Sequence, residues 1–73
     1  MTPKDIRKIR GDLSREIFGM LVGTSSVTVW RWEKGEASPE AGSLRLLELL
    51  EKDRKTTIGM LSKYVQERLE GMV

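Results

Sequence analysis

The stretch from Gly19 to Gly35, GMLVGTSSVTVWRWEKG, constrains the fold more than any other part of this 73-residue chain. It reads as one helix ending, a tight turn at Gly23 and a second helix opening at Ser25. Gly19, which has no Cβ, lets the backbones of the two helices approach closely. Gly23 supplies the positive φ that a short turn needs. Val29 fills the inside of the crossing. A helix-turn-helix needs these three features, and an ordinary αα-corner that binds nothing needs them too. Spacing alone leaves both readings open.

The rest of the chain continues in helices. Thr2 caps the first, Pro3 occupies its first position and Asp5 meets its positive end. Ile6 and Ile9 face inward, Lys4, Arg7 and Lys8 face outward, and Gly11 ends it. Ser14 caps a second helix after Leu13, with Ile17, Met20 and Leu21 as its buried stripe and Phe18 on the flank. Ser25 caps the third. At ~100° per residue, Val29, Trp32 and Glu33 fall on its inner side and Val27, Trp30, Arg31 and Lys34 on its outer side, with Ser26 and Thr28 at the borders. Such an outer side is not a uniformly charged, solvated surface, and an exposed Trp calls for a partner. Ser38 and Pro39 start a fourth helix whose Leu44, Leu46, Leu47, Leu49 and Leu50 exceed one narrow stripe, which places it at the centre of the core. After the charged break Lys52-Asp53-Arg54-Lys55, a fifth helix begins at Thr57. Its Ile58, Leu61, Val65, Leu69 and Met72 recur at heptad-like steps, widened by Met60 and Tyr64. The expected fold class is all-α, a compact five-helix domain containing a helix-turn-helix.

Composition narrows the chemistry. A chain of this length is one domain with a small core. It has no Cys, which excludes disulfides and thiolate metal sites, and no His, which removes the commonest general base and metal ligand. No residues are spaced like an activated nucleophile with its base. The expectation is therefore no enzyme, no catalytic residues, no metal and no cofactor. No apolar run reaches the ~18 residues of a membrane span and the N-terminus lacks a signal peptide's apolar core, so a cytoplasmic protein without membrane contact is expected. The net charge of +2 is small, but Lys4, Arg7, Lys8, Arg10 and Arg15 concentrate in the first fifteen residues against Asp5 and Asp12, which fits either a phosphate-facing surface or a solvated basic face on helix 1.

Leu13-Ser14, Gly19, Leu21-Val22-Gly23, Ser25, Thr28-Val29 and Arg31-Trp32-Glu33-Lys34-Gly35, followed by Pro39 and a leucine-rich helix, closely resemble the Xre/Cro-type helix-turn-helix family with its lambda-repressor-like fold. The resemblance covers residues 4 to 50. Arg15 stands where the family often has Gln, Gly19 where Ala is usual, and Trp30 where a small or polar residue is commoner. The resemblance implies a sequence-specific transcriptional regulator of double-stranded DNA, a repressor that acts by occupying its site as a homodimer. It lays helix 3 in the major groove. Ser26, Val27, Thr28, Trp30 and Arg31 then read bases, and Ser14, Arg15, Lys34 and Ser38 hold phosphates. It also implies that Glu33, near the end of helix 3, satisfies neighbouring backbone or Arg donors and is structural.

Residues 1–52 are thus expected to form the DNA-binding domain, and 53–73 a C-terminal helix that dimerises or caps the core. As a dimer seam this helix uses Ile58, Leu61, Val65, Leu69 and Met72. As a cap the same stripe covers the leucines of helix 4. Two other functional readings remain: an antitoxin that grips a protein toxin while repressing its own operon, and a helical protein-interaction domain without DNA binding.

Overall fold

In the computed structural model, which describes residues 1–71 without the side chains of residues 68 and 69, the described residues form five helices and no strand. Helix α1 spans Pro3–Arg10, α2 Arg15–Val22, α3 Ser26–Lys34, α4 Ala41–Lys52 and α5 Arg54–Gly71. The first helix starts on a capping box. The Asp5 N–H donates to the Thr2 hydroxyl at 3.1 Å, and the Thr2 N–H returns a bond to the Asp5 carboxylate at 2.9 Å. Ser14 and Ser25 cap α2 and α3 in the same local manner, accepting from the N–H of Ile17 and Thr28.

Between α2 and α3 the chain turns at Gly23, whose φ of 78° and ψ of 33° are left-handed. The Thr24 N–H bonds back to the Gly19 carbonyl at 2.8 Å, closing the turn. Gly19 is what admits it: a Cβ there would lie 2.7 Å from the Thr24 carbonyl oxygen. The close approach is thus between α2 and the turn's own backbone. A second link secures this end of α2, because the Ser43 hydroxyl on α4 donates to the Val22 carbonyl at 2.9 Å.

The core is a single cluster of Ile6, Ile9, Phe18, Val22, Val29, Trp32, Leu47 and Leu50, with Leu13, Leu46 and Ile58 packed against it. Three expectations need correction here. Ile17 and Met20 are exposed, Ile17 by 52%, whereas Phe18 is fully buried. Five of the eight α2 residues are large apolar ones, so 17/20/21 and 18/21/22 both satisfy helical spacing. The position of α4 and of the Val29–Trp32 face of α3 selects the second set. Helix α4 starts at Ala41, with Glu40 at its cap and no side-chain capping bond, so Ser38 and Pro39 lie in the preceding loop. Its register follows burial of Leu47 and Leu50 and the Ser43 bond, and Leu49 is turned outward. The fifth helix begins at Arg54. The break shrinks to Asp53, whose carboxylate accepts from the Thr56 N–H at 3.3 Å and caps the new helix.

Helix α5 folds back on α4 and α2. Thr57 is buried and its hydroxyl donates to the Leu49 carbonyl at 3.2 Å. Arg54 reaches across to the end of α1, donating from Nε to the Ile9 carbonyl and from Nη2 to the Arg10 carbonyl at 3.0 Å. Nothing local in the sequence marks Arg54 for this role, since its partners are more than forty residues away. No helix among the described residues is long and apolar enough to cross a membrane.

Candidate nucleic-acid interface

Helix α3 divides as its periodicity requires. Val29, Trp32 and Glu33 are buried. On the opposite face Val27 is 57% and Trp30 41% exposed, with Arg31 and Lys34 also exposed and Ser26 and Thr28 half-buried. The two tryptophans, only two residues apart, therefore lie on opposite sides of the helix, Trp32 being 3% exposed. The Thr28 hydroxyl lies 3.1 Å from that of Ser25 at the helix start. The Lys34 ammonium stands 5.6 Å from the centre of the Trp30 ring, a cation–π contact along the outer face.

The buried carboxylate of Glu33 anchors this helix to its two predecessors. Arg10 on α1 donates to it through both Nε (2.6 Å to Oε2) and Nη2 (3.0 Å to Oε1). Arg15 at the start of α2 donates to Oε1 from Nε at 3.2 Å and Nη2 at 3.1 Å. Arg7 adds a bond to the Glu33 backbone carbonyl at 2.8 Å. Burial by itself would push the Glu33 carboxyl up. The hydrogen bonds and charge of Arg10, followed by those of Arg15, outweigh it and hold the group below its ordinary value. One residue thereby ties α1, α2 and α3 together. Arg10, expected only as part of a basic surface, is turned onto Glu33 instead. The hint for it is Glu33 itself, an acid on an apolar face with no cation on that face of its own helix.

Arg15 and Ser14 stand at the N-terminus of α2, beside an open cleft of about 550 Å³ lined by Arg10, Ser14, Arg15, Glu16, Ser26, Val27 and Trp30. The fold thus brings Ser14, Arg15, Ser26, Val27 and Trp30 to one concave surface. Arg31 and Lys34 continue it along α3. Ser38 is separate, in the exposed loop before α4.

The α5 stripe is divided. Ile58 packs against the chain's own core, and Leu61 and Val65 are half-buried. The Leu69 side chain and Met72 lie outside the described residues. Val65 joins Ile17, Met20, Leu21, Ser62 and Gln66 in a mainly apolar groove of about 280 Å³ between α2 and α5. Among the described residues no group of His, Cys, Asp or Glu could hold a metal ion.

No family model matches the chain, and no solved structure matches it. Among curated proteins, it is 34% identical over 58 residues to Antitoxin HigA-2 of Vibrio cholerae serotype O1, a match covering 77% of this chain and 56% of that protein. The chain spans about half the length of the curated relative it matches, and over most of its own length it is similar to an antitoxin.

Proposed function

We propose that this chain is a sequence-specific DNA-binding regulator, without enzymatic activity, that works in the cytoplasm by occupying its operator. The observation that carries the reading is the face of α3 turned away from the core. It projects exposed Val27, Trp30, Arg31 and Lys34 beside the capped N-terminus of α2. A helix so presented suits a major groove, with the free N–H groups at the start of α2 toward a phosphate. A homodimer would set two copies of α3 about 34 Å apart in successive grooves. Leu61 and Val65 on α5 are the described residues of the proposed seam, Ile58 being engaged in the core.

Selection of bound sequences from a random DNA pool at two salt concentrations tests this directly. An enriched palindrome is expected. Weak, salt-sensitive binding with no enrichment would refute it. Within the selected site, Arg31→Ala is expected to cost roughly 1–3 kcal/mol and relax preference at one base pair per half-site, because a guanidinium bonds guanine O6 and N7 together. Unchanged affinity and preference in a footprinting titration would remove Arg31 from the reading set.

Arg15 has a different expected signature. Its Nε–Nη2 edge is engaged by Glu33, which holds the guanidinium at the mouth of the cleft as a phosphate contact. Arg15→Ala should weaken binding to all sequences alike and lower the salt slope by about one unit. A change in the preferred base would instead make Arg15 a base reader.

A second reading, that the chain is an antitoxin repressing its own operon, is favoured by the similarity to Antitoxin HigA-2. The apolar groove between α2 and α5 offers a protein toxin a surface separate from α3. Copurification with the product of an adjacent gene, undisturbed by Arg31→Ala, would support it.

A further inference from the structure

The cleft between α2 and α3 has a mainly apolar surface, although Arg15 and Glu16 are among the residues that line it. Val27 and Trp30 both line it and are exposed, and they stand one turn apart on α3, so their side chains are neighbours. Its volume of about 550 Å³ lies within the roughly 300–1,000 Å³ of clefts that seat an organic ligand. Cations flank it. Arg31 and Lys34 continue the outer face of α3, and the Lys34 ammonium stands 5.6 Å from the centre of the Trp30 ring. Arg15 commits Nε and Nη2 to Glu33, and its Nη1 has no partner among the described residues. The acid of α3, Glu33, is buried on the other side of the helix. A base-pair edge presents no apolar group larger than the thymine methyl, which leaves most of such a surface uncovered. A protein segment can cover it with whole side chains while carboxylates beside them meet the cations, a combination of the helix-in-groove and acidic-motif modes of recognition.

We infer that this cleft docks an acidic, amphipathic segment of another protein. A bulky apolar side chain of that segment covers Val27 and Trp30. Its flanking carboxylates pair with the open Nη1 of Arg15 and with Arg31 and Lys34, as charge-assisted hydrogen bonds. The segment and an operator claim the same face, so the partner releases the chain from DNA. That last consequence alone rests on the DNA-binding reading above.

The test titrates the full chain into two fluorescent synthetic peptides of equal length and charge, one of glutamate and leucine and one of glutamate and serine, and follows anisotropy. The leucine peptide is expected to bind at least about tenfold more tightly, because only it buries apolar side chains. A Val27→Ala/Trp30→Ala variant, altered only at exposed positions, is expected to bind the two peptides equally. An Ile17→Ser/Met20→Ser variant, altered at exposed positions of the α2–α5 groove, is expected to keep the full preference. Equal affinity of the unsubstituted chain for both peptides overturns the inference, because the face then responds to charge alone, as it would to a phosphate backbone. A preference that survives in the first variant, or vanishes in the second, also overturns it and moves the docking site away from the cleft. Saturating operator DNA is expected to release the leucine peptide, and a peptide that stays bound overturns the exclusion of one partner by the other. Failure to select any operator refutes the DNA-binding reading alone, since the peptide titrations contain no DNA.

Discussion

The Trp32→Ala variant is expected to lose about 3–5 kcal/mol of stability, the range for truncating a large buried aromatic. Trp32 is the largest side chain of the core and packs in one cluster with Ile6, Ile9, Phe18, Val29 and Leu47. A domain of this size has only several kcal/mol to lose, at ~0.05–0.15 kcal/mol per residue. Chemical denaturation followed by circular dichroism should therefore find the variant largely unfolded, or melting far below the unsubstituted protein. Trp30→Ala is the matched control. It removes an equally large ring from the exposed face of the same helix and should leave the melting temperature nearly unchanged while impairing partner binding. Similar losses in the two variants would contradict the division of α3 into an inner and an outer face.

Removal of the Glu33 carboxylate is expected to cost about 3 kcal/mol, near the lower end for breaking a buried ion pair. The lower end applies because the cations left behind, Arg10 and Arg15, keep 19% and 42% of their side chains exposed and regain some hydration. The measurement is urea denaturation of Glu33→Ala, and a loss within experimental error would show that the network is dispensable. Acid gives an independent signature. The Glu33 carboxyl binds its proton less readily in the folded chain than in the unfolded one. Its contribution is complete above the ordinary carboxylate range and disappears as pH falls through the lowered folded value. Asp5, held below its ordinary value first by the Thr2 N–H and then by the Thr2 hydroxyl, acts in the same direction. The difference between the unsubstituted protein and Glu33→Gln isolates the Glu33 part. The variant should be less stable at neutral pH and lose less on acidification. A parallel pair of pH profiles would place the buried charge elsewhere.

Much of the proposed interface was legible because it depends on local rules. Ser14 and Ser25 cap the N–H three residues on, and the ~100° advance per residue alone separates Trp30 from Trp32. The hydroxyl of Ser38 follows no such rule. It stands before a proline, as a helix cap does, yet α4 begins three residues later, because its register answers to Leu47, Leu50 and the Ser43 bond to α2. The α5 stripe was legible as apolar. Its division between the chain's own core at Ile58 and a groove shared with Ile17 and Met20 was not.

By itself, then, the sequence determined the capped starts of α1, α2 and α3, the turn at Gly23 and the two faces of α3. Each rests on contacts within a few residues, which steric limits, hydrogen-bond reach and helical pitch dictate wherever the rest of the chain lies. Only the tertiary structure decided which of two equally periodic faces of α2 is buried, where α4 starts, that Arg54 closes the end of α1, and which arginines meet Glu33. Those outcomes depend on groups eighteen to forty-five residues apart. Hydrophobic burial is non-directional, so several phases of an apolar-rich helix satisfy it equally until neighbouring helices take their places.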